Sequence, residues 1–300
     1  MFSETYESYS KQIEEELVRR LPAVDTRSGI LEEAMRYSLE AGGKRLRPVM
    51  LLAVCEIAGG SAEDAMPFAC AMEYIHTYSL IHDDHPSMDN DDLRRGKPTN
   101  HKVYGDDMAI LAGDGLLNSA FEIMLGEILH AGNDPARRER CIRAAAEIAE
   151  AAGVRGMIAG QASDCRPELV QGSGEDRLLY IHRNKTGAII RASVRAGAIL
   201  GGAGEAELEA FTTYAENVGL TFQIVDDILD VIGSIRELGK NTGMDAERGK
   251  LTYPAVYGLE YSYDRAREVT EQAVQALEQV QGSNTDFLKE LAQNLLKRIS

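Results

Sequence analysis

A crowded run of aspartates, HDDHPSMDNDD, is where the residue types of this chain most clearly predict chemistry. Five carboxylates fall within ten residues at the end of an apolar helical stretch, and three of them are Asp83, Asp84 and Asp89. Carboxylates so close together repel one another unless a cation binds between them. Oxygen ligands favour Mg²⁺ or Ca²⁺ over Zn²⁺, and Mg²⁺ usually completes its shell with water and substrate phosphate. Arg94 and Arg95 follow directly and suit such a phosphate.

A second acidic cluster, FQIVDDILD, lies in another apolar helical stretch. Asp226, Asp227 and Asp230 are at i, i+1 and i+4, so the first and the last share one helical face, with Gln223 one turn earlier. Either cluster alone could be a solvated acidic helix end. Two clusters of similar form indicate instead that two helices face each other across one cavity and hold metal ions from both walls.

Basic residues supply the charge that a bound diphosphate needs. The segment GGKRLRP places Lys44 and Arg47 at an ordered junction between a Gly-Gly helix cap and a proline that suits the first turn of the next helix. A lysine and a hydroxyl, Lys185 and Thr186, stand before Gly187, a potential kink in a third helix. The candidate basic set is Lys44, Arg47, Arg94, Arg95, Lys185, Lys240 and Lys250. A solvated basic loop is the alternative for GGKRLRP and for the glycine-spaced segment that carries the last two lysines.

The elements that must position these residues are helices. We predict them over residues 2–20, 28–41, 49–58, from about 64 to the first acidic cluster, and over 105–130, 175–200, 204–232, 255–281 and 285–299. Pro86 should end or bulge the helix before it and let Asp89 return towards Asp83. His76 lies seven residues before Asp83, on the same helical face, although a lone helical histidine is more often a core residue.

Composition favours one all-α domain over residues 1–300. Of the 300 residues, 44% are apolar and only 8 are prolines, and no Asn-Gly or Asp-Gly pair stands between alternating strand patterns. The net charge of −16 argues against a nucleic-acid or anionic membrane surface, so we expect a small-molecule partner.

Cysteine spacing and the length of the apolar runs predict the cellular location of the protein. The four cysteines lack CxxC spacing, which favours reduced thiols of a cytoplasmic protein. No leader pattern begins the sequence, and about 18 uncharged apolar residues never occur in succession, so we expect neither export nor a membrane span.

These parts together fit diphosphate chemistry on an apolar tail, because metals and basic groups stabilise a departing diphosphate while a dry cavity protects the carbocation. The chain resembles the trans-polyprenyl diphosphate synthases, most closely the bacterial short-chain farnesyl diphosphate synthases. The motifs GGKRLRP, HDDHPSMDNDDLRRGKP, GMIAGQASD, IHRNKTGAII and GLTFQIVDDILD occur in the family's order. The resemblance implies an isoprenoid synthase-type helical bundle around a central cavity, a homodimer and three Mg²⁺. It also implies head-to-tail condensation of isopentenyl diphosphate with dimethylallyl or geranyl diphosphate to farnesyl diphosphate.

The resemblance also implies roles for individual residues. The metal ligands would be Asp83, Asp84, Asp89, Asp226, Asp227 and Asp230, all but the last of which would be catalytic together with Lys185. The allylic diphosphate would contact Arg94, Lys185, Thr186, Gln223, Lys240 and Lys250. Isopentenyl diphosphate would be held by Lys44, Arg47, His76 and Arg95. Two departures from the family pattern are His85, in place of leucine, and Met244, in place of lysine.

Product length is expected to depend on Tyr78 and Ser79, one turn before Asp83. A helical turn rises about 5.4 Å, roughly one extended isoprene unit, so a bulky Tyr78 could stop the growing tail. In the family, an aromatic residue here combined with the two extra residues of DDxxxxD, from Asp83 to Asp89, resembles the bacterial farnesyl type and implies a fifteen-carbon product. Geranylgeranyl diphosphate synthase stays open as an alternative, and so does a role of Tyr78 as core filler.

Three rival functions fit fewer residues. A histidine-aspartate metal phosphohydrolase could use His82 and Asp83, but it leaves the second acidic cluster unexplained. A terpene cyclase would not need Lys44 and Arg47. A calcium-binding EF-hand loop starting at Asp89 would have its ligand and glycine positions filled by the wrong residues.

Overall fold

The computed structural model of the protein describes residues 2–23, 27, 29–166, 168, 170–232, 250–280 and 283–299. Helices dominate these ranges, and the prediction of an all-α fold is confirmed. In chain order the helices are α1 Phe2–Arg19, α2 Gly29–Leu39, α3 Leu46–Ile57, α4 Ala62–Asp83, α5 Asn100–Tyr104, α6 Asp106–His130, α7 Pro135–Ala152, α8 Met157–Cys165, α9 Gly174–Ile181, α10 Ala188–Gly201, α11 Glu205–Ile232, α12 Tyr253–Tyr257, α13 Leu259–Ala276 and α14 Asp286–Leu296.

Short elements complete the described chain. A π-helical turn, His182–Gly187, joins α9 to α10, and 3₁₀ turns follow α13 and α14 at Leu277–Gln279 and Lys297–Ile299. Strands β1 (Leu93–Arg94) and β2 (Lys97–Pro98) pair in antiparallel register directly after the first acidic cluster. The helix predicted over 175–200 is thus interrupted where the sequence indicated only a kink.

Helix α4 forms the centre of the bundle. Phe68, Met72 and Ile75 have no exposed surface, and apolar side chains are buried on every side of the helix. A helix that is apolar all round belongs inside a protein rather than on its surface. α4 packs against α3 and α6, and α3 packs in turn against α10. The acidic end of α4 is therefore held by a rigid core.

A second apolar cluster supports the other acidic helix. Ile224, Val225 and Ile228 of α11 are fully buried, and they belong to a cluster that includes Val269 of α13. Buried apolar residues at this spacing fix the rotation of α11 about its axis. That rotation decides which of the aspartates in the second cluster reach the surface of the cavity.

One helix of the described chain, α6, is long and apolar enough to cross a membrane by length and composition alone. Its mean hydropathy over 18 residues is 1.3, and 39% of that stretch is buried inside the protein. A helix at the core or at an interface of a soluble protein meets the same criteria, so this observation is weak support for a membrane span.

Candidate active site

The first acidic cluster lies at the C-terminal end of α4, where the chain turns back. The helix ends at Asp83, three residues before Pro86, and the backbone N–H of Asp89 donates to the Asp83 carbonyl at 2.9 Å. Proline disfavours another helical turn. The predicted return of Asp89 towards Asp83 is confirmed.

Two lysines lie among the carboxylates of this cluster. Lys185 Nζ is 2.6 Å from Asp164 Oδ2 and 3.6 Å from Asp83 Oδ2. Lys250 Nζ is 3.1 Å from Asp89 Oδ2 and 3.7 Å from Asp164 Oδ2. Burial would lower the pKa of Lys185, but Asp83 and Asp164 raise it above its ordinary value. Both lysines therefore remain charged and neutralise the acidic residues around them.

Asp164 is a site residue that the sequence reasoning did not select. Burial would raise its pKa, but Lys185 and Lys250 hold it below its ordinary value, so Asp164 stays ionised. Gln161, one turn earlier on α8, donates from its side-chain amide to Asp83. The sequence does contain a signal for both residues, the pair Gln161 and Asp164 at i and i+3 in the motif GMIAGQASD. That spacing directs two polar side chains to one helical face.

A glycine allows α8 to approach Lys185 closely. A Cβ on Gly160 would lie 2.1 Å from the backbone nitrogen of Lys185 and 2.5 Å from its Cα. Such distances are far shorter than van der Waals contact, so only glycine fits at this position. The close approach brings Asp164 within reach of the lysine.

The π-helical turn directs one side chain to each of the two acidic clusters. π-helical turns inside α-helices are rare and occur frequently at functional sites. Lys185 reaches the first cluster, while His182 Nε2 lies 3.5 Å from Asp227 Oδ2 in the second cluster. Burial lowers the pKa of His182 to about 4, so this histidine is neutral at neutral pH. Thr186, a predicted substrate contact, is buried in the same turn.

The three aspartates of the second cluster differ in their surroundings. Asp226 is the most exposed, with 31% of its side chain accessible, and it accepts a hydrogen bond from Arg298 Nη1 at 2.8 Å. Asp227 is buried and accepts the backbone N–H of Tyr253 at 2.8 Å, and Asp230 is buried as well. Asp226 is therefore the carboxylate best placed for a metal ion. The metal roles of Asp227 and Asp230 stay predictions.

Asp84 is bound to an arginine in this structure. Arg94 Nε donates to Asp84 Oδ1 at 3.0 Å, and Nη2 donates to the same oxygen. Burial raises the pKa of Asp84 to about 6, and the guanidinium opposes that rise. The pair fixes the β1–β2 hairpin against the end of α4. In this geometry the carboxylate positions Arg94. Metal binding by Asp84 stays a prediction.

Lys44, Arg47 and His76 form a separate basic group near α11. Arg47 Nη1 lies 3.3 Å from His76 Nε2, which must accept the hydrogen bond because arginine only donates. Burial and the charge of Arg47 hold the pKa of His76 well below its ordinary value. Burial lowers the pKa of Lys44, Arg298 lowers it further, and Asp226 raises it. His76 is therefore neutral, and positive charge in this group comes from Lys44 and Arg47.

Arg95, in the turn between β1 and β2, is the remaining residue of this basic group. Its guanidinium donates to the carbonyl of Gly42, and a Cβ on Gly43 would lie 2.4 Å from Arg95 Cζ. Gly43 also has a φ of 133°, which only glycine adopts readily. The Gly-Gly pair therefore serves two purposes, since it ends the α2 region and makes room for Arg95.

Tyr78 and Ser79 lie on α4 above the first cluster, as predicted. Tyr78 is 6% exposed, and its ring packs edge-on against His82 with centroids 5.7 Å apart. Ser79 donates to the His76 carbonyl at 2.8 Å, a bond internal to the helix. Tyr78 therefore fills volume inside the bundle. Its effect on product length stays a prediction.

Four predicted positions contribute less to the described geometry. Gln223 lies half-buried on α11, one turn before Asp227. Lys240 and Met244 lie outside the described residues. His85 accepts the Ser87 backbone N–H at Nδ1, and its Nε2 is 3.9 Å from Asp106 Oδ1, so it points away from the lysines.

Comparison with known proteins identifies the family. Residues 28–291 match the sequence model of the polyprenyl synthetase family. This chain belongs to that family. A chloroplastic geranylgeranyl pyrophosphate synthase of Capsicum annuum is 49% identical over 271 residues, which cover 90% of this chain and 70% of that protein. Large subunit 1 of a chloroplastic heterodimeric geranylgeranyl pyrophosphate synthase of Arabidopsis thaliana is 51% identical over 245 residues, 81% of this chain and 65% of that protein.

A solved structure shares the fold. The crystal structure of an FPP/GFPP synthase from Zymomonas mobilis superposes with a TM-score of 0.85 at 35% sequence identity, covering 98% of both chains. The fold is therefore that of the isoprenoid synthases, and the chain is a prenyltransferase of the head-to-tail, trans-polyprenyl type.

The donor set of this polyprenyl synthetase fits Mg²⁺. Asp83, Asp89 and Asp226 provide carboxylate oxygens, the ligands that Mg²⁺ prefers. In the first cluster, cationic lysine nitrogens already lie 3.1–3.6 Å from these oxygens, so the carboxylates require positive charge between them. No group of three or more His, Cys, Asp or Glu is close enough to form a complete cage within the described ranges. The oxygens of a bound diphosphate would have to complete the shell, as is usual for Mg²⁺.

Proposed function

We propose that the protein condenses isopentenyl diphosphate with an allylic diphosphate in a Mg²⁺-dependent reaction. The observation that carries the proposal is the division of charge in the site. Carboxylates and Lys185 form one group at the end of α4, while Lys44 and Arg47 form a second basic group beside Asp226. Two separate basic groups are what two diphosphate substrates need, and Asp83 and Asp89, which suit metal ions, contact the lysines of the first group.

The residues at the carboxylate end would act on the allylic substrate. Asp83, Asp89 and Asp226 would hold Mg²⁺, three ions in all by the family resemblance, and the ions would stabilise the negative charge that develops on the departing diphosphate. Lys185 would contribute a further positive charge to the same oxygens. Its side chain is mostly buried, so this charge acts in a medium of low dielectric, where it is worth more than in water.

The residues of the other basic group would bind the second substrate. Lys44 and Arg47 would hold the diphosphate of isopentenyl diphosphate and direct its double bond towards the allylic carbon. The allylic carbon–oxygen bond breaks, the new carbon–carbon bond forms at that carbon, and the departing pyrophosphate takes the proton that the product loses. Holding both reactants in this geometry converts a bimolecular reaction into an effectively unimolecular one.

For the product we propose twenty carbons, as geranylgeranyl diphosphate. The support is the naming of relatives about half identical to this chain as geranylgeranyl pyrophosphate synthases. This replaces the fifteen-carbon product expected from the sequence as the first candidate.

A fifteen-carbon product is the second candidate, because one observation favours it. Tyr78 is a large, buried side chain about 7.5 Å along the helix axis from Asp83, at five residues of about 1.5 Å each. That distance is short compared with a twenty-carbon tail. If the ring faces the tail, it would stop elongation early.

Product analysis tests the function and separates the two candidates. The purified protein is incubated with Mg²⁺, labelled isopentenyl diphosphate and, separately, dimethylallyl, geranyl and farnesyl diphosphate. We expect a twenty-carbon product from each primer. Rejection of farnesyl diphosphate, with a fifteen-carbon product from the other primers, would contradict the first candidate and support the second. Phosphate release without a new carbon–carbon bond would refute the prenyltransferase proposal altogether.

A Tyr78→Ala variant tests the pocket directly. If the ring limits the tail, the variant should add at least one isoprene unit beyond the wild-type product, while Ser79→Ala should leave product length unchanged. An identical product distribution in Tyr78→Ala and the wild type would show that the tail does not reach this residue.

We propose further that the protein is a homodimer joined through α6. Leu111, Leu125 and Leu129 share one face of that helix and are 47%, 58% and 79% exposed. Apolar side chains clustered on one face commonly mark an interface. Leu125→Asp should yield a monomer in sedimentation velocity, and a wild-type monomer would refute the proposal. The cytoplasmic location expected from the cysteines stays a prediction.

A further inference from the structure

Arg298, in the 3₁₀ turn that follows the last helix, binds one of the proposed metal ligands. Its Nη1 donates to Asp226 Oδ1 at 2.8 Å, and its guanidinium carbon lies 6.0 Å from the ring centroid of Phe222, one turn earlier on α11. Both contacts hold the guanidinium over the same face of α11. Only 20% of the Arg298 side chain is exposed, so the pair is shielded on most sides.

Arginine and a metal ion compete for the same oxygen of Asp226 in this geometry. A metal ion needs a lone pair of Asp226 at about 2.0–2.1 Å, and a guanidinium bound to that oxygen occupies the space and repels the dication. Charge-assisted hydrogen bonds are among the stronger contacts in proteins. Arg298 therefore competes with a metal ion for Oδ1, and its charge opposes a dication at either oxygen of Asp226.

Other charged residues near Asp226 also interact with Arg298. Repulsion from Arg298 contributes to the lowered pKa of Lys44, so the two cations lie within electrostatic reach of each other. Asp226 also acts electrostatically on Lys44 and Arg47, since its negative charge raises the pKa of both. Asp226 therefore interacts with three cations, and Arg298 donates a hydrogen bond to it.

We propose that Arg298 is an internal counter-cation for Asp226, which neutralises this carboxylate in the metal-free enzyme and is displaced when Mg²⁺ binds. The inference rests on the proposed function in one respect, that Asp226 is a Mg²⁺ ligand. It adds that the end of the chain competes with the metal and is released by it. Arg298 is thus a positioning residue.

Metal binding, measured without turnover, tests this proposal. The full-length protein and its variants are titrated with Mg²⁺ in a calorimeter at saturating inorganic pyrophosphate, which stands in for the substrate diphosphate. Arg298→Ala should lower the apparent Mg²⁺ dissociation constant about tenfold, or about 1.4 kcal/mol, because the competitor is gone. Arg298→Lys should give an intermediate value.

Lys297→Ala is the matched control. It removes one positive charge from the adjacent position of the same turn, where Lys297 Nζ contacts Asn294 at 3.2 Å rather than Asp226. We expect its dissociation constant to stay within about twofold of the wild type, since it lacks the direct bond. Equal tightening in both variants would overturn the proposal, because it would reflect a general loss of repulsion.

Hydrogen exchange on the wild type provides a second measurement. Backbone amides of residues 296–299 should exchange faster once Mg²⁺ and pyrophosphate are added, because the Arg298 contact that secures this turn is lost. A structural anchor without competition would show unchanged exchange together with unchanged Mg²⁺ affinity in Arg298→Ala, and that result would refute the displacement.

Asp226→Asn separates failure of this inference from failure of the proposed function. If Asp226→Asn retains wild-type Mg²⁺ stoichiometry, Asp226 is no ligand, and both the metal assignment and the displacement fail. If Asp226→Asn loses a Mg²⁺ ion but Arg298→Ala does not tighten binding, only the displacement fails. Carbon–carbon bond formation, measured separately, decides the proposed function itself.

Discussion

Replacing Glu73 by Gln should lower the free energy of unfolding by about 3 kcal/mol. Glu73 Oε1 accepts from Arg45 Nη1 at 2.7 Å, and the two side chains are 1% and 2% exposed. Removing one partner of a buried ion pair costs about 3–5 kcal/mol, because the other charge is left uncompensated in a medium of low dielectric. Glu14 lies 3.6 Å from Arg45 Nε and retains part of the compensation, so we expect the lower end of that range.

The same substitution should weaken binding of isopentenyl diphosphate. Arg45 has a φ of 50°, an uncommon conformation for a residue other than glycine, and its Nη2 donates to the Leu39 carbonyl at 2.6 Å. These contacts hold the loop that carries Lys44 against the start of α3, where Arg47 lies in the first turn. Once Arg45 loses its partner, the loop should loosen, and the Michaelis constant for isopentenyl diphosphate should rise several-fold. The Michaelis constant for the allylic substrate should change little, because Lys185 and Arg94 are held elsewhere.

Urea unfolding and initial-rate kinetics measure the two effects. The control is Glu150→Gln, which breaks the exposed pair of Glu150 with Arg155 and should cost less than about 1 kcal/mol. The double variant Arg45→Met, Glu73→Met should recover most of the lost stability, since apolar replacement of both buried charges is often neutral. A loss below about 1 kcal/mol in Glu73→Gln, or equal changes in both Michaelis constants, would refute the reasoning.

Three further predictions concern the site. Asp164→Asn should lower the turnover number and change the free energy of unfolding comparatively little, because Lys185 and Lys250 lose a shared counter-ion. An unchanged turnover number would exclude this role. Gly160→Ala should reduce both activity and stability, by about 1–3 kcal/mol for the latter, because its Cβ would overlap the backbone of Lys185, whereas Gly126→Ala on α6, with nothing within 4 Å, should be neutral or stabilising. His76 should show no titration by NMR between pH 6 and 8. Since its pKa is lowered in the folded state, protonation favours unfolding, so its contribution to stability is complete above about pH 6.5 and decreases as the pH falls below it.

The sequence predicted the acidic end of α4 well because its signals are local. An apolar run followed by carboxylates and Pro86 determines where the helix stops, and the backbone return of Asp89 follows from that stop. Short-range rules of this kind depend only on neighbouring residues. The prediction for Gly187 was less complete. Glycine indicated a kink, but the π-helical turn depends on the packing of His182 and on the close approach of α8, neither of which is written in the local sequence.

The sequence could not predict which residues far apart in the chain contact each other in the site. Asp164 and Arg298 are polar residues in amphipathic helical segments, where a solvated position is the ordinary expectation. Their importance arises because α8 and the end of the chain lie beside α4 and α11 in the folded protein. The binding of Asp84 to Arg94 is a similar case, since two adjacent aspartates look alike in the sequence and are separated only by the direction in which the helix turns them.

The contacts of the acidic residues also show which side chains offset their negative charge. Asp83, Asp89 and Asp164 would repel one another at close range, yet Lys185 and Lys250 lie among them. Arg298 does the same for Asp226 on the opposite helix. Side-chain cations therefore supply part of the charge neutralisation that Mg²⁺ would also supply. Such a cation must be bound weakly enough for Mg²⁺ to displace it and strongly enough to offset the repulsion between the carboxylates. Lysines and arginines at partly exposed positions meet both conditions.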